Sequence, residues 1–67
     1  MNRLKTIRMA KNLTMKQVAE GTGVSISVYC RYESGERTPS LRVANAIASF
    51  FGCSIDELFR EPAAAAN

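Results

Sequence analysis

The sequence contains no histidine and no tryptophan, and it spends only two cysteines and two prolines over 67 residues. Without histidine the commonest general base and the commonest metal ligand are both missing. Cys30 and Cys53 form one pair at most, too sparse for a disulfide scaffold, and neither has the closely spaced partners of a zinc site. No apolar run approaches the roughly 18–20 residues that cross a membrane as a helix. The first twenty residues alternate charged and apolar positions, unlike the unbroken apolar stretch of a signal peptide. No nucleophile paired with a base and no phosphate-cradling loop stands out. These absences lead us to expect a cytoplasmic, reduced chain that is not an enzyme. They also lead us to expect no cofactor, no metal, no membrane and no small-molecule ligand.

What is present supports one small globular domain. Hydrophobic residues make up 46% of the chain, enough for a single core. The net charge of +3 is unevenly spread. Residues 1–20 carry Arg3, Lys5, Arg8, Lys11 and Lys16 against Glu20, whereas residues 54–67 are acidic overall through Asp56, Glu57 and Glu61 against Arg60. A basic first half suits a polyanionic partner on one face.

Helical spacing dominates, and nothing alternates as a strand would. Leu4 and Ile7 mark a first helix over about Arg3–Lys11, ended by Asn12, a residue that tolerates left-handed geometry. Thr14-Met15-Lys16-Gln17 reads as a capping box opening a second helix, about Met15–Gly21, with Val18 and Ala19 inward. Gly21 and Gly23 weaken that helix, and Gly23 suits the turn after it. Ser25 caps a third helix, about Ile26–Glu33, with Tyr29 and Tyr32 inward. A loop over residues 34–39 leads to Ser40, the cap of a fourth helix, Leu41–Phe51. The expected inner stripe of that helix is Leu41, Ala44, Ile47, Ala48 and Phe51, and Gly52 stops it. Ser54-Ile55-Asp56-Glu57 is a second capping box for a fifth helix with Ile55, Leu58 and Phe59 inward. The expected organisation is an all-α, compact five-helix domain over residues 1–61 and a flexible tail over residues 62–67. The second and third helices, joined by a short glycine-containing turn, form a helix-turn-helix.

The ordered set Leu13-Thr14, Val18-Ala19-Glu20, Gly23-Val24-Ser25, Glu33-Ser34-Gly35, Pro39-Ser40-Leu41, Ile47-Ala48 and Gly52 to Phe59 resembles the Cro and C1 repressor type of helix-turn-helix domain, the lambda repressor-like family of phage and bacterial regulators. The likeness covers Leu4 to Phe59. It implies sequence-specific binding of double-stranded DNA as a transcriptional regulator, in the main a repressor. It also implies that Ile26, Ser27 and Arg31 occupy base-contacting positions. Arg8 and Glu33 correspond to an ion pair joining the first helix to the third. The chain departs from the family pattern at Met15, where glutamine is usual, and at Glu36, where a basic residue is common; both lower the expected affinity.

Independently of the likeness, hiding both tyrosines turns Ile26, Ser27, Cys30 and Arg31 outward, on a helix that fits the major groove. Arg31 suits guanine, Ile26 suits a thymine methyl, and Ser27 discriminates poorly. Cys30 completes this candidate base-contacting set. Phosphate contacts are expected from the start of the second helix (Thr14, Met15, Lys16), from the loop (Ser34, Arg37) and from Ser40. Val43, Phe50 and Phe59 are the candidate surface of a homodimer on a palindromic operator. The competing reading is a protein-interaction module that keeps the fold without binding an operator.

Overall fold

The computed structural model describes residues 2–59, so the expected tail over residues 62–67 lies outside the described residues. Five helices follow one another: α1 (Leu4–Ala10), α2 (Met15–Thr22), α3 (Ile26–Ser34), α4 (Leu41–Phe51) and α5 (Ile55–Phe59). Among the described residues there is no strand. The bounds depart from the sequence reading by one residue at each altered end. α2, for example, runs on through Thr22, whose hydroxyl donates to the Val18 carbonyl at 2.8 Å and stays within the last turn.

Each helix begins where a side chain can take an otherwise orphaned N–H group. Thr14 Oγ1 accepts from the Gln17 N–H while Gln17 Oε1 accepts from the Thr14 N–H, at 3.0 and 2.8 Å. Ser25 and Ser40 accept from Val28 and Val43 in the same manner, both at 3.3 Å. Ser54 and Glu57 form the second reciprocal pair, at 3.1 Å in each direction. The chain leaves α1 through Asn12, the described non-glycine residue with positive φ (57°). It leaves α2 through Gly23 at φ 78°, which turns it sharply into α3.

The core is Leu4 from α1, Val18 and Ala19 from α2, Tyr29 and Tyr32 from α3, Ile47, Ala48 and Phe51 from α4, and Leu58 from α5. Ala44 of α4 is buried as well, so of the stripe expected for that helix one member is missing. Leu41 is 72% exposed, so it does not belong to the inner stripe of α4. It lies in the first turn, and its neighbours Thr38, Pro39, Ala44, Ile55 and Phe59 form the wall of an open groove instead of a lid over it. Phe50, off that stripe, is partly covered. Its ring lies against Gly21 of α2, so close that a Cβ on that glycine would fall 2.1 Å from the ring. It also meets Phe51 edge to face, with centroids 5.8 Å apart. Gly21 is therefore the seat on which α4 packs against α2.

Polar contacts fix how the helices are set. Asn2 Nδ2 donates to the Tyr32 carbonyl at 2.7 Å while Asn2 Oδ1 accepts from the Leu4 N–H, tying the start of α1 to α3. The Arg3 N–H donates to the Leu58 carbonyl at 2.8 Å and draws α5 alongside. Arg8 donates through Nε and Nη2 to the two carboxylate oxygens of Glu33, at 2.6 and 3.3 Å, and through Nη1 to the Leu13 carbonyl at 2.8 Å. The two side chains are only 12% and 7% exposed. The bond to Glu33 holds the Arg8 guanidinium above its ordinary pKa in spite of desolvation.

Two stability experiments follow from these contacts. Arg8→Ala strands a nearly buried carboxylate and is expected to cost about 3 kcal/mol in urea unfolding, at the low end for breaking such a pair. The double variant Arg8→Met/Glu33→Leu should cost less than half as much, and equal losses would show that the two residues are not coupled. Gly21→Ala should lower stability in the wild-type chain because the new methyl displaces the Phe50 ring. In a Phe50→Ala background the same change should raise stability by about 0.5–1 kcal/mol, the ordinary helix preference for alanine over glycine.

Candidate nucleic-acid interface

The α2–turn–α3 unit places one side of α3 against the core and leaves the other in water. Tyr29 is fully buried and Tyr32 nearly so. Helical geometry then carries Ile26, Ser27, Cys30 and Arg31 to the opposite side, and all four are exposed. Ile26, the first residue of α3, keeps 47% of its surface in solvent, so it is not a core residue. The Tyr29 hydroxyl sits in the interior without a hydrogen-bond partner of acceptable geometry. Burial first, and the neighbouring Glu33 carboxylate second, raise its pKa above that of an ordinary phenol, so it remains neutral.

A groove of about 500 Å³ joins this face to the rest of the molecule. It is lined by Lys5 and Arg8 of α1, Met15 of α2, and Cys30, Glu33 and Ser34 of α3. Three residues singled out from sequence, Met15, Cys30 and Ser34, are thereby brought together over the Arg8–Glu33 pair. Lys5 was missed by the sequence reading. It is exposed on α1 and adds a cation to the groove, and the only trace in the sequence is the excess of positive charge in the first twenty residues.

The candidate phosphate-binding groups are arranged less freely than the sequence suggested. Thr14 uses both its hydroxyl and its N–H in the capping box. The N–H groups that follow it, at Met15 and Lys16, lie in the first turn of α2, where no carbonyl of the helix can reach them. Met15 itself is half-buried against the core, whereas Lys16 is exposed. The Ser34 hydroxyl donates to the Arg31 carbonyl at 3.1 Å and accepts from the Glu36 N–H at 3.4 Å. The Arg37 N–H donates to the same Arg31 carbonyl at 3.3 Å. Within the loop the main-chain donors at Glu36 and Arg37 are thus already committed, and the exposed Arg37 side chain supplies the loop's positive charge. Ser40 is exposed and caps α4, its hydroxyl accepting from the Val43 N–H.

The three expected dimer residues have different settings. Val43 is half-buried against the core and the Phe50 ring is occupied by Gly21, leaving it 39% exposed. Phe59 lines the apolar groove of about 310 Å³ beside Leu41, Ile55 and Pro39. The two cysteines also differ in setting: Cys30 is exposed, whereas Cys53 packs against the core and burial pushes its thiol pKa up. Among the described residues no group of three acidic, cysteine or histidine side chains is placed to hold a metal, and no helix is long and apolar enough to cross a membrane.

Comparison with known proteins agrees with this geometry. A family model described as helix-turn-helix matches residues 4–58. An uncharacterized HTH-type transcriptional regulator of Methanocaldococcus jannaschii is 41% identical over 58 residues, 87% of this chain and 88% of that protein. The cryptic phage CTXphi transcriptional repressor RstR of Vibrio cholerae serotype O1 is 43% identical over 84% of this chain and 50% of its own length. The HTH-type transcriptional activator BcrR of Enterococcus faecalis is 39% identical over 84% of this chain and 28% of its own length. The chain thus spans nearly all of one relative but half or less of the other two. With an exposed third helix, a capped turn before it and a match running from α1 into α5, this chain belongs to the Cro/C1-type helix-turn-helix family and carries the DNA-binding domain of a transcriptional regulator.

Proposed function

We propose that the chain is a sequence-specific repressor that binds palindromic operators as a homodimer, with α3 in the major groove. The observation that carries this reading is the outward face of Ile26, Ser27, Cys30 and Arg31 on a helix pinned from behind by two buried tyrosines. In the proposed complex these four side chains meet base edges. Arg31 takes guanine O6 and N7 with its paired donors, and Ser27 accepts several bases. Thr14, Met15 and Lys16 at the head of α2 face one phosphate strand. Ser34, Arg37 and Ser40 flank the other end of α3, with the Arg37 side chain as the principal charge.

Repression is favoured over activation because occupancy of an operator requires only the DNA face. A homodimer is supported by exposed apolar surface away from α3. Val43, Phe50 and Phe59 were the residues first suggested by spacing. Within that set Phe59 carries the proposal best, because its groove continues to the exposed Leu41. Two protomers related by a two-fold axis would set their recognition helices about 34–36 Å apart, one turn of DNA.

Selection from a random duplex pool tests this reading. A selected duplex should be bound with log affinity falling linearly in log salt, by about 0.9 for each phosphate neutralised. Binding without salt dependence, or no enrichment at all, contradicts the proposal. Arg31→Ala should lose about 1–3 kcal/mol of discrimination between the selected and a scrambled duplex while its salt slope changes little. The converse is expected of Lys16→Ala: a slope shallower by about one phosphate and an unchanged preference for the selected sequence.

A further inference from the structure

The groove beside α3 uses one side of α1, through Lys5 and Arg8. The opposite side of that helix borders a second hollow, of about 410 Å³, which takes no part in the proposed DNA contacts. Arg3 precedes the helix, Ile7 lies in its middle and Lys11 follows it, at intervals of four residues and hence on one face. Phe51 at the end of α4, Cys53 just after it and Glu57 of α5 complete the wall. The floor is apolar, since Phe51 is nearly buried while Ile7 and Cys53 are half-buried against the core. A Cβ added to Gly52, on the rim next to Cys53, would meet nothing within 4 Å, so the hollow opens to solvent there.

The charges around this floor are unequal. Arg3 and Lys11 bring two cations against the single carboxylate of Glu57. That carboxylate is partly occupied, because Glu57 Oε1 accepts from the Ser54 N–H at 3.1 Å and from the Ser54 hydroxyl at 3.4 Å. Among the described residues the ion pair is Arg8–Glu33, and neither Arg3 nor Lys11 enters one. Burial raises the Cys53 thiol pKa most and Glu57 adds to the rise, whereas Lys11 and Arg3 both pull it down; the two cations thus bear on the same point of the wall. We propose that this hollow binds a small carboxylic acid with a hydrocarbon tail, its ionised carboxylate held by Arg3 and Lys11 and its tail laid over Ile7, Phe51 and Cys53. An inorganic anion gains nothing from the floor, and an uncharged or cationic tail gains nothing from the two basic side chains. An occupied hollow leaves Ile26, Ser27 and Arg31 exposed, because it lies across α1 from the α3 groove. Composition leads to the opposite expectation, no small-molecule ligand, because Arg3, Ile7 and Lys11 read as an ordinary helix face until α4 and α5 are packed beside them.

Octanoate is the probe, titrated into the isotopically labelled intact chain at neutral pH, in low salt and below its micelle concentration. Saturable amide shifts are expected at Ile7, Lys11 and Cys53, with none at Ser27 or Arg31. From butanoate through hexanoate to octanoate the affinity should rise by up to about fourfold per methylene, the value of one buried methylene group. Octanol and octylammonium should bind at least about fivefold more weakly than octanoate, and Lys11→Gln and Arg3→Gln should each weaken octanoate about fivefold, the upper value for an exposed charge pair. Thermal unfolding checks that both variants are folded, and the ligand series on the wild-type chain needs neither of them. Absence of saturable shifts, shifts centred elsewhere, an affinity independent of tail length, or equal binding of octanol or octylammonium overturns the proposal. None of these outcomes bears on DNA binding, which is read from the duplex titrations alone.

Discussion

The attitude of the recognition helix depends on one guanidinium. Arg8 reaches from α1 to the Leu13 carbonyl in the chain entering α2 and to both carboxylate oxygens of Glu33 near the end of α3. Three separate stretches of backbone are thereby referred to a single planar group. A planar fork fixes an angle as well as a distance, which an ammonium on a flexible stem does not. The pair is nearly dry, so its geometry is enforced by the penalty for separating the charges rather than by any large net gain from bringing them together. Apolar contacts among Leu4, Val18, Tyr29 and Ile47 hold the helices together, but such contacts are tolerant of rotation. The ion pair restricts the rotation that would point Ile26 and Arg31 elsewhere.

The helices and their ends were legible in the sequence because their signals are local. A threonine three residues before a glutamine, or a serine before an apolar helix, satisfies nearby N–H groups whatever the tertiary context, and all four side-chain caps expected from spacing are present. Leu41 departs from the expected stripe for the opposite reason, and the seat of Phe50 on α2 was not legible either. Helical periodicity tells which residues share a face but not whether anything lies over it. Leu41 falls on the inner stripe by spacing, yet the fifth helix and the loop stop short of covering the first turn of α4. Phe50 falls off the stripe, yet finds a seat on α2 because residue 21 has no side chain. Read from the sequence, that glycine only weakens its own helix. Its use as a contact surface emerges only when two helices distant in the chain are brought together.

The outward face of α3 was legible for a related reason: two large aromatic residues three apart must both be buried, and this fixes the rotation of a short helix almost completely. The groove beside it was not legible. It exists because Lys5, Met15 and Ser34 come from three helices whose angles are set by tertiary contacts. The loop after α3 shows a further limit. Its sequence promises free main-chain donors, but the Ser34 hydroxyl takes the Glu36 N–H, and the Arg31 carbonyl takes that of Arg37. Electrostatic attraction at that end of the helix is consequently left to a side chain, while Glu36 opposes it.

Among the described residues Met9, Ile26, Leu41 and Phe50 are the exposed large apolar side chains, and two of these places, Ile26 on α3 and Leu41 at the head of α4, bear on each other. The two are linked by one short segment. The backbone that bonds to the Arg31 carbonyl through Arg37 passes next through Thr38 and Pro39, which line the Leu41 groove. Within six residues it has closed the end of one surface and begun the wall of the other. A segment this short, with the Glu36 and Arg37 N–H groups already bonded to α3, leaves little freedom for one surface to shift against the other. The distance from the exposed Ile26 end of α3 to the Leu41 groove is therefore a property of the folded chain, set before either surface meets a partner. Were a second copy to dock at that groove, the spacing of the two recognition helices would follow from the loop and from Arg8, with no further adjustment on DNA.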